Sequence, residues 1–259
     1  MNEVALAATV HDPSGRFLPF IQKYIAGIAS LFPNKAIAVT SQTNPNVKEI
    51  LNNNGVRLIQ TRENEIGSSR RMSVKLALEF KCNHILYCDF DRMLHWVASY
   101  QHELESTLIK IQTFDYFIIG RTKRAFETHP LVQKETERIT NHVFQMNIGR
   151  PFDVTSGTSA MSKKAAEVIL NHSIALSNAT DTEWPVIVSR LFSDKIGYVE
   201  VEGMEFETPD FFQDEIAESG SYEKWMENLS SDLGNWKERL KLSYESVEAM
   251  VPFLERSES

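Results

Sequence analysis

The sequence predicts an α/β protein with a mostly parallel central sheet and helices on both faces. Three observations carry this: four short apolar runs between Val4 and Cys88, helical periodicity between them, and polar turns at the junctions. Val4 to Val10 is the first strand and ends at the turn His11-Asp12-Pro13-Ser14-Gly15. Phe17, Phe20, Ile21, Tyr24, Ile25 and Ile28 recur at helical spacing, and Pro33 closes the pattern after Leu31. Ala36 to Thr40 is the second strand. Asn44-Pro45-Asn46 opens a helix through Leu51, stopped by an Asn-rich stretch and Gly55. Val56 to Gln60 is the third strand. The polar turn Asn64 to Arg71 leads into a helix with Met72, Leu76 and Phe80 on one face, and Ile85 to Cys88 is the fourth strand. Ligands of such sheets bind outside the carboxyl ends of the strands. That rule gathers Asp12, the loop after Thr40, Arg70 and Asp89 at one edge.

The fourth strand runs into Asp89-Phe90-Asp91. On an extended backbone, residues i and i+2 point the same way, so the two carboxylates would converge while Phe90 turns to the core. Such a pair suits a hard divalent cation that bridges to substrate phosphates. A strand ending in a solvated acidic turn would give the same tripeptide.

The second half is less regular. Helices are expected at Val97–Ile111, Glu135–Met146, Lys163–Leu170 and about Val186–Phe192, with strands at Tyr116–Gly120 and Ile196–Met204. Asp153 to Met161 reads as a small polar segment. From Tyr222 the chain is helical and acidic, with Trp225, Leu229, Leu233, Trp236, Leu240 and Tyr244 as a packing stripe. The organisation expected is one domain over 1–210 and a helical extension over 211–259, either a cover on the core or the contact of a homodimer.

A formal charge of −8 over 259 residues argues against a general nucleic-acid binder. The N-terminus lacks the pattern of a signal peptide, and no apolar stretch approaches the length of a membrane span, so a cytoplasmic protein is expected. Cys82 and Cys88 read as buried thiols. Asn171-His-Ser and Asn178-Ala-Thr match a glycosylation sequon that means little without a secretory signal.

The order strand, Asn64-x-x-Gly67-x-x-Arg70 at a helix start, then a strand ending Asp89-Phe90-Asp91 resembles the GT-A glycosyltransferases of the family 2 type, a Rossmann-like fold. The likeness runs from about Val4 to Trp96, continues more loosely through Ser156-Gly157 and Asp181-Thr-Glu-Trp, and reaches about Thr208. It implies a nucleotide-diphosphate sugar donor and an acceptor that the sequence does not name. Asp89 and Asp91 would hold Mg²⁺ or Mn²⁺, with Asp91 the more direct ligand and Asp89 reaching the ribose or the metal through water. The cation would stabilise the leaving nucleotide. Arg70 and Arg71 would pair with phosphate oxygens at the helix start that Gly67 opens, or stand as solvated charges. Ser156 and Gly157 would let a sugar approach the backbone, or form a plain turn. Asp181 or Glu183 matches the place of an acidic general base, with Trp184 as a sugar-stacking wall; an acidic first helical turn would look the same. Arg121 and Arg124 could hold an acceptor anion, or be loop charges.

Departures from the family pattern bear on the details. The loop after the second strand is Ser41-Gln42-Thr43, without the acid that would read uracil. Retaining relatives often carry a late metal-binding His; here none follows His172, and the late strand ends Glu205-Phe206-Glu207-Thr208, which tilts the expectation towards inversion. His95 could help the site or cap a helix. Two rival readings share much of the fold: a sugar nucleotidyltransferase, which needs a Gly-rich basic loop after the first strand, and a non-catalytic GT-A-like protein that binds a sugar nucleotide or a protein.

Overall fold

The computed structural model describes residues 4–62, 65–193 and 195–253. The first half follows the predicted alternation: β1 (Val4–Val10), α1 (Leu18–Leu31), β2 (Lys35–Thr40), α2 (Pro45–Asn53), β3 (Arg57–Thr61), α3 (Ile66–Ala77) and β4 (His84–Tyr87). Then come α4 (Phe90–Lys110), β5 (Tyr116–Arg121), α5 (Lys123–Glu127), α6 (Leu131–Ile148), β6 (Ser159–Ser162), α7 (Lys163–His172), α8 (Thr180–Leu191) and β7 (Ile196–Val201). The chain closes with α9 (Thr208–Phe211), α10 (Gln213–Glu218), α11 (Tyr222–Ser231) and α12 (Leu233–Glu248).

One seven-stranded sheet has the order β3-β2-β1-β4-β6-β5-β7, with β6 antiparallel to both neighbours and every other pairing parallel. Side chains alternate along each strand. In β1, Leu6, Ala8 and Val10 therefore join α1, α2 and α4 on one face, and Ala5 and Ala7 join α3, α7 and α8 on the other. The alanines let α3 lie close across β1 and β2. Helices α6 and α12 pack together as an outer layer against α8, and Met250 and Phe253 beyond α12 are buried in that same core.

Two expectations change. Ser159–Ser162 is a strand, inserted between β4 and β5. Its four residues carry only the alternation of Ala160 and Met161, too little for a periodicity. Helix α4 begins at Phe90, not Val97, because Phe90, Met93, Leu94 and Val97 already form a buried helical stripe. Asp91 is therefore helical and Asp89 is its N-cap, with φ −58° and ψ 141°. The strand geometry that would have aligned the two carboxylates does not extend past Asp89.

Candidate active site

The chain leaves β1 for β2 and β3 on one side, then returns to place β4 on the other side of β1. A crevice opens where strand order reverses in this way. Here it is a cavity of about 370 Å³ at the carboxyl ends of the strands, lined by Thr9 of β1 and His11 just after it, Thr40 at the end of β2 and Thr61 at the end of β3. Asp89, Asp91, Arg92, Asn178 and Glu207 close its other wall.

Asp89 is held on every side. One oxygen accepts from Thr9 Oγ1 at 2.9 Å and from the Tyr87 hydroxyl at 2.5 Å; the other accepts from Arg70 Nη2 at 2.9 Å. Burial works against its charge, but Arg70 and the hydroxyl donors outweigh burial and hold its pKa below the ordinary carboxylate value. Asp91 lies in the opposite electrostatic setting. Its one side-chain hydrogen bond among the described residues comes from the backbone N–H of Arg92 at 2.9 Å. Burial, then Glu207, then Asp89 push its pKa up to about 7. Glu207 pairs with Arg92 Nε at 3.4 Å through Oε1, while its buried Oε2 has no hydrogen-bond partner among the described residues. Asp91 and Glu207 thus face one cavity with spare oxygens. Among the described residues no group of three or more His, Cys, Asp or Glu side chains is placed to hold a metal ion. A two-carboxylate site suits Mg²⁺ or Mn²⁺, which keeps waters and takes its other oxygens from phosphates.

Behind Asp89 lies a second, smaller cavity of about 60 Å³, lined by Arg70, Gly157, Asp181 and residues of α6 and α12. Arg70 is 2% exposed and joins three groups: Nη1 donates to Thr180 Oγ1 at 2.9 Å and to Asp181, and Nη2 donates to Asp89. Its guanidinium lies 5.1 Å above the Tyr87 ring. Burial drives the Asp181 carboxyl up to about 6, with Arg70 opposing and Asp89 adding to the rise. Gly157 has φ +75°, and a Cβ there would lie 3.6 to 3.8 Å from Arg70, Asp89 and Asp181. The glycine meets the backbone requirement at the floor of this cluster.

The other expected site residues have structural partners. Asp12 lies outside the cavity walls and caps the loop into α1, accepting backbone N–H bonds from Gly15, Arg16 and Phe17, each at 2.9 Å. Gly67 donates its N–H to Leu176 O at 2.9 Å, and a Cβ there would lie 2.2 Å from Ala175 O. Its glycine is demanded by that contact; Asn64 of the same motif lies outside the described residues. Arg71 donates to Ser173 and to Ala175 O at 2.5 Å. Glu183 is fully buried and ties down the same loop, accepting from Ile174 N at 2.7 Å, Ala175 N at 3.0 Å and Ser173 Oγ. Trp184 is core, 2% exposed, edge-on to Tyr87 at 5.6 Å. Ser156 donates to Ile119 O at 2.5 Å, and its own carbonyl accepts from Arg92. Arg121 is locked by Asp153 and Glu137, Arg124 by Glu202 and Glu205, and His95 sits 2.6 Å from Asp210.

No family model matches the chain and no curated protein is similar to it. Among solved structures, the chain is similar to glucosyl-3-phosphoglycerate synthase from Mycobacterium tuberculosis in complex with Mg²⁺ and uridine diphosphate. That match has a TM-score of 0.49 and 10% identity, over 76% of this chain and 68% of that one. A second structure of that synthase matches 84% of this chain and 81% of its own at TM-score 0.48 and 10% identity. A 4-diphosphocytidyl-2C-methyl-D-erythritol synthase from Anaerococcus prevotii matches 80% of this chain and 94% of its own at TM-score 0.42 and 12% identity.

Sequence reasoning assigned no role to Arg92, Asn178 or Glu207; Arg92 stood out only as an unusual neighbour of Asp91. Glu207 was visible only as part of the acidic end of the late strand, and Asn178 only as a sequon.

Proposed function

We propose that the protein is a metal-dependent glycosyltransferase that moves a sugar from a nucleotide-diphosphate donor to an acceptor hydroxyl. The observation that carries this is the pair Asp91 and Glu207, two carboxylates with spare oxygens facing a 370 Å³ cavity at the point where strand order reverses. A divalent cation held there would offset their mutual repulsion and supply charge stabilisation to a leaving diphosphate. Asp89 is a positioning residue in this reading: it fixes Arg70, and Arg70 in turn orients Asp181. Asp181, in the wall of the inner cavity, then acts as the general base towards an acceptor hydroxyl. A carboxyl with a pKa near 6 is ionised at neutral pH yet basic enough to accept a hydroxyl proton. Arg71, Gly67 and Glu183 hold the segment 173–176 and line neither cavity.

The test is donor hydrolysis across UDP- and GDP-sugars with Mn²⁺, run beside Asp91→Ala. Turnover of one donor that disappears in the variant supports the reading. Metal-dependent nucleotide binding without any turnover would favour a non-catalytic sugar-nucleotide binder, and absence of both would remove the proposal.

A further inference from the structure

The two cavities meet at three residues, Asp89, Arg92 and Asn178, which line both. Asp89 has its oxygens filled by Thr9, Tyr87 and Arg70. Arg92 is engaged by the Ser156 carbonyl and by Glu207. Asn178 differs from both. Its Oδ1 is buried and has no hydrogen-bond partner among the described residues, while its backbone carbonyl accepts from Asp181 N at 2.9 Å and so fixes the residue at the entry to α8. A buried amide oxygen left unpaired is costly in a folded protein unless something that binds there supplies the donor.

We infer that Asn178 is the positioning residue that grips a hydroxyl of the transferred sugar as it lies between the donor cavity and the inner cavity. The inference rests on the glycosyltransferase reading and deepens it. A hydroxyl is the group that suits the position, since it both donates and accepts and so satisfies an amide in either orientation. The location fits as well. Asn178 stands three residues before Asp181 on the same segment, so one rigid turn carries both the sugar-orienting amide and the proposed base. The inner cavity, at about 60 Å³, is much smaller than the donor-side cavity of about 370 Å³. The larger cavity offers a sugar ring the more room, and Asn178 stands where it meets the smaller one. The sequon Asn178-Ala-Thr has its asparagine in the wall of the site.

The test uses the full chain with Mn²⁺ and compares Asn178→Ala and Asn178→Asp with wild type. The probes are UDP and GDP, each alone and as its glucose, galactose and mannose conjugates, read by titration calorimetry and by hydrolysis. Asn178→Ala is expected to melt no lower than wild type, because its Oδ1 has no protein partner to lose. It should bind the bare nucleoside diphosphate within twofold of wild type, while kcat/KM for the sugar conjugate falls about 3- to 10-fold, the worth of one hydrogen bond. Asn178→Asp keeps an acceptor and should recover part of that loss. Equal losses for the bare and the sugar-bearing nucleotide, a lowered melting temperature alone, or no change would each overturn the inference and leave the glycosyltransferase reading standing. A wild-type chain that binds no nucleoside diphosphate with Mn²⁺ would overturn both.

Discussion

Replacing Asp91 with Asn tests the electrostatics of the site most directly. The folded protein lifts the Asp91 pKa from the ordinary 3.8 to about 7 through burial, Glu207 and Asp89. At ~1.36 kcal/mol per pKa unit, ionised Asp91 costs the metal-free fold up to about 4 kcal/mol. The sign follows from linkage. Below the unfolded pKa the carboxyl is protonated in both states and the cost is absent. It grows as pH rises from about 4 and is complete above about 7. In EDTA at pH 8, Asp91→Asn should therefore be more stable than wild type, by several degrees in melting temperature at this chain length, with the gap closing towards pH 4. Mn²⁺ should raise the wild-type melting temperature at pH 8, raise it less at pH 5, and leave the variant unmoved. An Asn variant less stable than wild type in EDTA at pH 8 would refute the argument. So would one that keeps the whole Mn²⁺ shift.

Four further outcomes follow from the geometry. Arg70→Met leaves the partly buried carboxylates of Asp89 and Asp181 without their cation and should cost about 2 to 4 kcal/mol by urea denaturation; a loss under about 1 kcal/mol would show that the ion triad does not hold the fold. Asp181→Asn should lower turnover by about 10²- to 10⁴-fold and remove an acidic limb near pH 6 from the rate profile, while Mn²⁺-dependent nucleotide binding stays put. Gly67→Ala places a Cβ against the Ala175 carbonyl and should destabilise by about 1 to 3 kcal/mol, measured by chemical denaturation; a neutral result would mean the loop can yield. Glu183→Ala removes three hydrogen bonds to a buried carboxylate and should melt markedly lower, yet keep metal binding, which separates it from a catalytic acid.

The alternating first half was legible because each β1–β4 strand is a short apolar run and each helix between them has its own stripe and stop. Strand β6 was hidden: four residues, two of them serines, do not set a period, and only pairing with β4 and β5 defines them. The site was legible by topology more than by motif. Asp89, Asp91, Arg70, Gly157 and Asp181 do come together, because the junction of β4 and α4, helix α3, the turn before β6 and helix α8 deliver them to one strand edge. Asp12, Gly67 and Glu183 belong to the same neighbourhood but serve the backbone. A sequence shows that an acid or a glycine stands near a turn. It does not show whether three N–H groups or a facing carbonyl will claim it.

The Asp-Phe-Asp segment illustrates how environment, not residue type, divides the work. Because α4 starts at Phe90, the helical turn swings Asp91 away from the direction of Asp89. Asp89 meets a buried guanidinium and two hydroxyl donors, so its charge is stabilised and its oxygens are spent. Asp91 meets another carboxylate and an open cavity, so its charge is raised in energy and its oxygen is available. Two carboxylates with pKa values pushed in opposite directions take different roles. The stabilised one holds Arg70, which also donates to Asp181, and the destabilised one is, in the proposed reading, the ligand of a cation. The early helix start is what sets the two acids of one short segment in different surroundings, Asp89 against Arg70 and Asp91 against Glu207 and the cavity.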